Sequence, residues 1–237
     1  MKLFRFRGIA LDLHPTFYLL PLVVGAQGWA DNPDDPGRGL AQSLGAVALV
    51  YTCVVLHEFG HALTARWLGV PVQHIVLLPF GGMALLGRLP RNSWAELLIV
   101  AAGPAVNFAI VGICLLLLGR WPVVGEEDLL PTFQLYDILV FLLLSNLVLG
   151  CFNLLPAFPM DGGRILRALL AFKLDYLRAT RWALNIGRGV AGLGIVFALW
   201  THSFLLAGLF VFILWIGKRE YEFLVMEEAT RFFRDGQ

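Results

Sequence analysis

The sequence is poor in charge and in cysteine. Only 15% of its 237 residues are charged, 58% are hydrophobic, and the net charge is +1. A soluble domain carries about 25% charged residues, and one core of this size could not bury so much apolar surface, so we predict a membrane protein. The lack of a long basic run argues against a nucleic-acid partner. The three cysteines lie in apolar segments, which argues against a disulfide framework.

Apolar segments of membrane-spanning length recur along the chain. A bilayer requires about 20 apolar residues per helix, and six segments approach this length: 9–28, 41–65, 95–118, 136–155, 182–200 and 203–217. Nearly all basic residues then fall on one side, which predicts that both termini are cytoplasmic. The expected location is the cell membrane, as a multi-pass protein of a bacterial cytoplasmic membrane in contact with the lipid bilayer.

The predicted fold class is therefore an all-α polytopic membrane protein with about six transmembrane helices. Residues 1–217 form the membrane core, and residues 218–237 form a cytoplasmic tail that is either an interfacial helix or disordered. Between the second and third spans, Val70 to Leu89 is apolar but interrupted by proline and glycine, which predicts a β-hairpin or a re-entrant loop. Its segment 74–86 either offers a strand edge to an extended peptide or simply connects the spans.

The segment His57-Glu58-Phe59-Gly60-His61 follows an apolar run within the second span. In such an HExxH pattern, two imidazoles at i and i+4 share one helix face and can bind one metal ion, and the glutamate beside the first can transfer a proton. The pattern alone occurs by chance in unrelated proteins. Here, two histidines and a glutamate inside an apolar span are costly unless they have a function.

Catalytic zinc usually takes three protein ligands and keeps a fourth position open, so His57 and His61 require a third. Asp161 is the candidate, because it follows a span broken by Pro156 and Pro159 and precedes two glycines that allow a sharp turn. Under the predicted topology, His61 and Asp161 both approach the cytoplasmic side. The alternative is that Asp161 caps a helix that begins near Arg164.

A third element lies in the span between these two. It reads Ala102-Gly103-Pro104-Ala105-Val106-Asn107, and the motif around Asp161 reads Asn153-x-x-Pro156 followed by Asp161-Gly162. In their order and spacing, the three elements make the chain resemble the site-2 proteases, a family of intramembrane zinc metalloproteases. The chain has no PDZ-type insertion and no CBS domain, so it is most similar to a minimal member of the sporulation-protease-like or archaeal subgroup.

The resemblance implies one zinc ion per chain, held by His57, His61 and Asp161, with Glu58 as the general base. It implies hydrolysis of a peptide bond within or near a transmembrane segment, close to the cytosolic face. The expected substrate is a single-span membrane protein, such as an anti-sigma factor or a membrane-bound transcription regulator. Tentative substrate-binding or oxyanion residues complete the predicted site: Asn107, Asn153, Gly81 and Gly82. Interhelical packing is the alternative for the two asparagines.

Two other classes of function fit part of this pattern. A polytopic zinc transporter would use the same three ligands as a transit site, but it would have no need for Glu58 beside the first histidine. A membrane adaptor that has lost catalysis would not need Glu58 either. The intact glutamate therefore favours the hydrolase.

Overall fold

The described residues of the computed structural model are 2–79, 81–86, 92–122 and 134–235, and most of them are helical. The helices are α1 (Leu19–Asp31), α2 (Pro36–Trp67), α3 (Ser93–Leu118), α4 (Leu135–Asn153), α5 (Asp161–Leu170), α6 (Tyr176–Trp200) and α7 (Phe204–Asp235). The strands are β1 (Lys2–Phe6), β2 (Ile9–Leu13), β3 (Val72–Leu78) and β4 (Gly81–Leu86). The chain divides into two units, one from 1–89 and 102–150 and the other from 90–101 and 151–237.

Four helices in the described residues are long and apolar enough to cross a membrane, judged by length and composition. They are α2, α3, α4 and α6. These helices match the second to fifth predicted spans, so the chain has the composition of a polytopic membrane protein. The prediction of six spans is not confirmed.

The first predicted span, 9–28, is wrong as a continuous helix. Residues Ile9–Leu13 form strand β2, and Pro15–Tyr18 form a short 3-10 helix before α1. Side chains in a strand alternate between its two faces, so the polar Asp12 can lie opposite the buried Leu11 and Leu13. Helix α1 has 13 residues, which at about 1.5 Å per residue is roughly 20 Å and shorter than the bilayer core.

The last predicted span ends at residue 217, but α7 continues as one helix to Asp235. The tail over 218–235 is therefore helical, as the continuation of α7 rather than as a separate element. Lys218 and Glu222 lie at i and i+4 on this part of the helix, with Nζ and Oε1 3.8 Å apart. Because both side chains are exposed, this pair adds little to stability.

The small sheet belongs to the first unit and has the strand order β1-β2-β3-β4. Strands β1 and β2 are antiparallel, β2 and β3 are parallel, and β3 and β4 form an antiparallel hairpin. The hairpin confirms the prediction for the connection between the second and third spans. In the sheet order, β4 has only β3 as a neighbour, so it lies at an edge.

A tyrosine of α2 holds the end of this hairpin. Tyr51 is buried, and its hydroxyl group donates to the carbonyl oxygens of Leu78 and Pro79 at 3.0 and 2.9 Å. The ring of Phe17 lies 4.5 Å from the Tyr51 ring. Tyr51 thereby ties the β3–β4 turn to the same helix that carries the HExxH segment.

The second unit has a buried ion pair of its own. Arg167 of α5 and Glu96 at the start of α3 are each 1% exposed, and Arg167 Nε donates to Glu96 Oε1 at 2.8 Å. The guanidinium group also lies over the rings of Phe158 and Tyr176, 5.4 and 5.0 Å from their centroids. The pair links α5 to the start of α3. Removing either partner would leave an uncompensated buried charge.

Replacing Tyr51 with phenylalanine tests the attachment of the hairpin. We expect Tyr51→Phe to lower the free energy of unfolding by about 1 kcal/mol, because it removes the donor shared by two carbonyl groups. Thr52→Val is the matched control, since the exposed Thr52 hydroxyl bonds only the Ala48 carbonyl of its own helix. Reversible unfolding in mixed micelles measures both variants. Equal stability of Tyr51→Phe and Thr52→Val would contradict the proposed attachment.

Candidate metal centre

The two histidines of α2 present their Nε2 atoms to each other. His57 and His61 are 5% and 7% exposed, and their Nε2 atoms lie 3.1 Å apart. The rings are nearly perpendicular, with centroids 4.7 Å apart. Two nitrogen ligands at about 2.0–2.1 Å from a tetrahedral zinc ion lie about 3.3 Å from each other. The separation and the chemistry of this donor pair therefore fit zinc.

Glycines of α2 and α3 allow the two helices to approach closely at this point. A Cβ atom added to Gly60 would lie 2.7 Å from the Ala102 carbonyl oxygen. A Cβ atom added to Gly103 would overlap His61 Nε2 and lie 2.7 Å from His57 Nε2. Gly103 thus leaves the space into which both ligand nitrogens project, so its lack of a side chain matters to the metal site as well as to helix packing.

Strand β4 lies against the glutamate of the motif. Glu58 is 9% exposed, and a Cβ atom added to Gly82 would lie 3.0 Å from both its Cδ and its Oε1. Gly82 therefore sets how close the strand comes to the carboxylate. Gly81, the first residue of β4, has a φ of +141°, a backbone conformation that residues other than glycine rarely adopt.

Asn107 of α3 contacts the other nitrogen of the first histidine. Its Oδ1 lies 2.5 Å from His57 Nδ1, and its Nδ2 donates to Asn146 Oδ1 at 2.8 Å. Asn146 in turn donates to Cys53 Sγ at 3.1 Å. Asn107 was predicted from the sequence and Asn146 was not, although both share the same signal of an amide side chain within an apolar span.

The predicted third ligand belongs to the second unit. Asp161 is the first residue of α5, whose N-cap is Met160 with an extended backbone. The alternative that Asp161 caps a helix beginning near Arg164 is therefore wrong, because the helix begins three residues earlier. A carboxylate in the first turn is still favoured by the helix dipole.

The two glycines after Asp161 permit a close turn, as the sequence predicts. A Cβ atom added to Gly162 would overlap the carbonyl oxygens of Leu154 and Leu155, and one added to Gly163 would lie 2.7 Å from the Ala157 carbonyl carbon. The backbone after α4, which ends at Asn153, therefore packs directly on the start of α5. This packing fixes the position of Asp161 within its unit.

The first unit thus brings together five residues that were predicted for the site: His57, Glu58, His61, Gly82 and Asn107.

Similarity to known proteins identifies the family of the chain. Residues 45–125 and 127–194 match the model of peptidase family M50. The chain belongs to this family.

Individual relatives agree with the family match. The chain is 37% identical over 229 residues, 96% of its length, to a zinc metalloprotease of Methanocaldococcus jannaschii, of which it covers 62%. It is 29% identical to the stage IV sporulation protein FB of Bacillus subtilis over 57% of its own length and 44% of that protein. A solved structure of the site-2 protease from M. jannaschii matches with a TM-score of 0.65 and 36% identity, over 93% of this chain and 94% of that one.

These matches confirm the predicted resemblance to the site-2 proteases. They also confirm that the chain belongs to a family of metalloproteases. The chain spans 62% and 44% of the length of the two curated relatives named above.

The space at Gly103 can be tested directly. We expect Gly103→Ala to weaken zinc binding about tenfold or more, because the added methyl group displaces both ligand imidazoles, whose orientation governs affinity. Gly112→Ala is the matched control on the same helix, since within the described residues a Cβ atom there meets nothing within 4 Å beyond its chain neighbours and its own helix backbone. Chelator competition measures zinc affinity for both variants. Native affinity in Gly103→Ala would refute the assignment of the metal to this space.

Proposed function

We propose that the chain is an intramembrane zinc metalloprotease that hydrolyses a peptide bond within or near a transmembrane segment of another membrane protein, close to the cytosolic face. The observation that carries this proposal is the pair of converging Nε2 atoms of His57 and His61 beside the buried Glu58. These groups lie in α2, a helix with the length and composition of a membrane span. Ionisable residues in such a helix are rare and usually functional.

We propose Asp161 as the third zinc ligand, with one ion per chain. One established type of catalytic zinc site combines two imidazoles and a carboxylate with an open fourth position. Support comes from the position of Asp161 at the start of α5, where the Gly162 contacts hold it in a tight turn. Zinc bound there would supply a Lewis acid and lower the pKa of a water molecule toward about 7.

Glu58 serves as the general base. It is buried next to His57 on α2, and the proposed ligand set does not require it. It accepts a proton from the attacking water and delivers it to the leaving amine. The neighbouring Gly82 keeps the space beside the carboxylate narrow. Asn153 is the remaining candidate from the sequence for stabilising the oxyanion.

The apolar surroundings of the site support a membrane protein as the substrate. A transmembrane substrate hides its amides in i→i−4 hydrogen bonds, so it must unwind before hydrolysis. Strand β4 lies at the sheet edge and reaches Glu58 through Gly82, which supports pairing of an extended substrate with Gly81–Leu86. We propose a single-span membrane protein as substrate, such as an anti-sigma factor or a membrane-bound transcription regulator, in a bacterial cytoplasmic membrane with both termini of the protease in the cytoplasm.

Substitutions of Glu58 and of the ligands separate catalysis from metal binding. We expect Glu58→Gln to retain zinc and lose at least about 100-fold in cleavage rate, because general acid–base catalysis contributes about 10²–10⁴-fold. His57→Ala and Asp161→Asn are expected to lose both zinc and cleavage. Zinc content and cleavage of a single-span substrate in proteoliposomes provide the two measurements.

Asp175→Asn is the matched control for Asp161→Asn, since Asp175 is exposed and pairs with Arg178 at i+3. It should keep native zinc content and native turnover. Undiminished cleavage by Glu58→Gln would end the assignment of a general base. Zinc flux across the proteoliposome membrane without any cleavage would identify a transporter instead.

Unwinding of the substrate gives a second test. We expect residues that weaken a helix near the scissile bond to accelerate cleavage, because they lower the cost of exposing the peptide group. Replacing a glycine there with alanine stabilises the helix by about 1 kcal/mol, which corresponds to a slowing of about fivefold. The same replacement at the far end of the substrate helix is the control. Equal rates for the two substrates would contradict the requirement for unwinding.

A further inference from the structure

Behind His57, on the side away from His61, lies a line of buried polar side chains from three helices. It runs from His57 on α2 to Asn107 on α3, then to Asn146 on α4, and ends at Cys53 one turn before His57 on α2. Asn107 and Asn146 are 0% exposed and Cys53 is 2% exposed. Amide groups buried among apolar helices are costly unless hydrogen-bonded, so their orientations are strongly constrained.

The direction of every hydrogen bond in this line follows from one backbone atom. The Leu142 carbonyl group can only accept, and the side-chain atom that faces it at 2.8 Å is Asn146 Nδ2. The second hydrogen atom of Nδ2 points to Cys53 Sγ. Asn146 therefore turns its Oδ1 toward Asn107, and this oxygen can only accept a hydrogen bond, so Asn107 must donate from its Nδ2. The choice between oxygen and nitrogen in each amide, often ambiguous, is thus settled by the network.

The same sequence of bonds determines the tautomer of His57. With Nδ2 committed to Asn146, Asn107 presents only Oδ1 to the imidazole, 2.5 Å from Nδ1. An oxygen acceptor requires a proton on Nδ1. The Nε2 lone pair then faces His61 and the space beside Gly103, as a metal ligand must. The opposite tautomer would carry a proton on the ligand atom.

We propose that Asn146, acting through Asn107, is a positioning residue that fixes the tautomer and ring orientation of His57 for zinc. The inference rests on the proposed zinc site and deepens it. It also assigns Asn107 to the imidazole, since both ends of its amide are engaged, and leaves oxyanion stabilisation to other groups. Asn146 does not touch the metal, so its effect must pass through the direction of the Asn107 amide.

The first test reads the tautomer itself. The nitrogen chemical shifts of ¹⁵N-labelled histidine, recorded on the zinc-free full chain in bicelles at a pH where imidazoles are neutral, distinguish protonated Nδ1 from protonated Nε2. The native chain should show His57 protonated on Nδ1. Asn146→Leu should convert part of the population to the other tautomer, because Asn107 is then free to reverse its amide. Asn146→Ala carries the same expectation without added bulk, should the leucine variant fail to fold.

A rescue variant distinguishes an effect on the orientation of the side chain at position 107 from an effect on the packing around Asn146. Aspartate at position 107 offers oxygen at both ends, so reversal changes nothing. The double variant Asn107→Asp/Asn146→Leu should therefore regain the Nδ1-protonated His57 that Asn146→Leu alone loses. Cys114→Ala is the packing control, since Cys114 is a buried residue of α3 in the cluster of Val111 and Leu143. It should leave the tautomer unchanged. A purely structural role for Asn146 predicts no rescue.

The second readout is zinc affinity by chelator competition. Loss of a hydrogen-bond partner behind a metal-binding histidine typically weakens metal affinity about 10–100-fold. We expect Asn146→Leu to weaken zinc affinity about tenfold and Cys114→Ala to leave it unchanged. A native tautomer together with native affinity in Asn146→Leu would overturn the inference, as would failure of the rescue. A native chain that binds no zinc would instead refute the proposed function, while a tautomer shift in Asn146→Leu would still support the role of Asn146.

Discussion

The structure depends on two imidazole nitrogens being held together inside an apolar helix. His57 and His61 share one face of α2, and their Nε2 atoms lie 3.1 Å apart. Neither histidine would be stable there as an isolated polar group, since burial without partners is costly. Each neighbouring element contributes to holding the pair: Gly103 leaves the space, Asn107 engages Nδ1 of His57, and α3 approaches closely at Gly60. The need to hold these two imidazoles therefore explains the presence of Gly60, Gly103 and Asn107 in otherwise apolar helices.

The sheet connects this site to the edge strand that we propose as the binding surface for an extended peptide. Tyr51 binds the β3–β4 turn to α2, and Gly82 places β4 against Glu58. The helix that carries the two proposed histidine ligands is thus also the helix that positions the edge strand. A substrate that pairs with this strand would arrive extended, which is the form in which its peptide groups can be attacked. Binding and unwinding would then be parts of one event.

Much of this arrangement could be predicted from the sequence because its signals are local. The HExxH spacing fixes the relation of His57, Glu58 and His61 on any helix, and long apolar runs identify α2, α3, α4 and α6. The hairpin followed from Pro79, Gly81 and Gly82 within an apolar stretch. Strands β1 and β2 were missed, because Ile9–Leu13 merges with the apolar residues that follow and its partner β3 lies about 60 residues away along the chain. Asn146 carries the same sequence signal as Asn107, an amide inside an apolar span, but its role depends on contacts with Asn107 and Cys53, which are distant in sequence.

X-ray absorption at the zinc edge, on the purified full chain loaded with one equivalent of zinc, examines the ligands of the proposed site. We expect nitrogen and oxygen ligands at about 2.0–2.1 Å with the multiple-scattering pattern of two imidazoles. That pattern should stay at two imidazoles in Glu58→Gln, whereas His61→Ala should bind no zinc at this site. A sulfur shell near 2.3 Å, or a spectrum unaffected by the loss of His61, would show that the ion is bound elsewhere and would contradict the account.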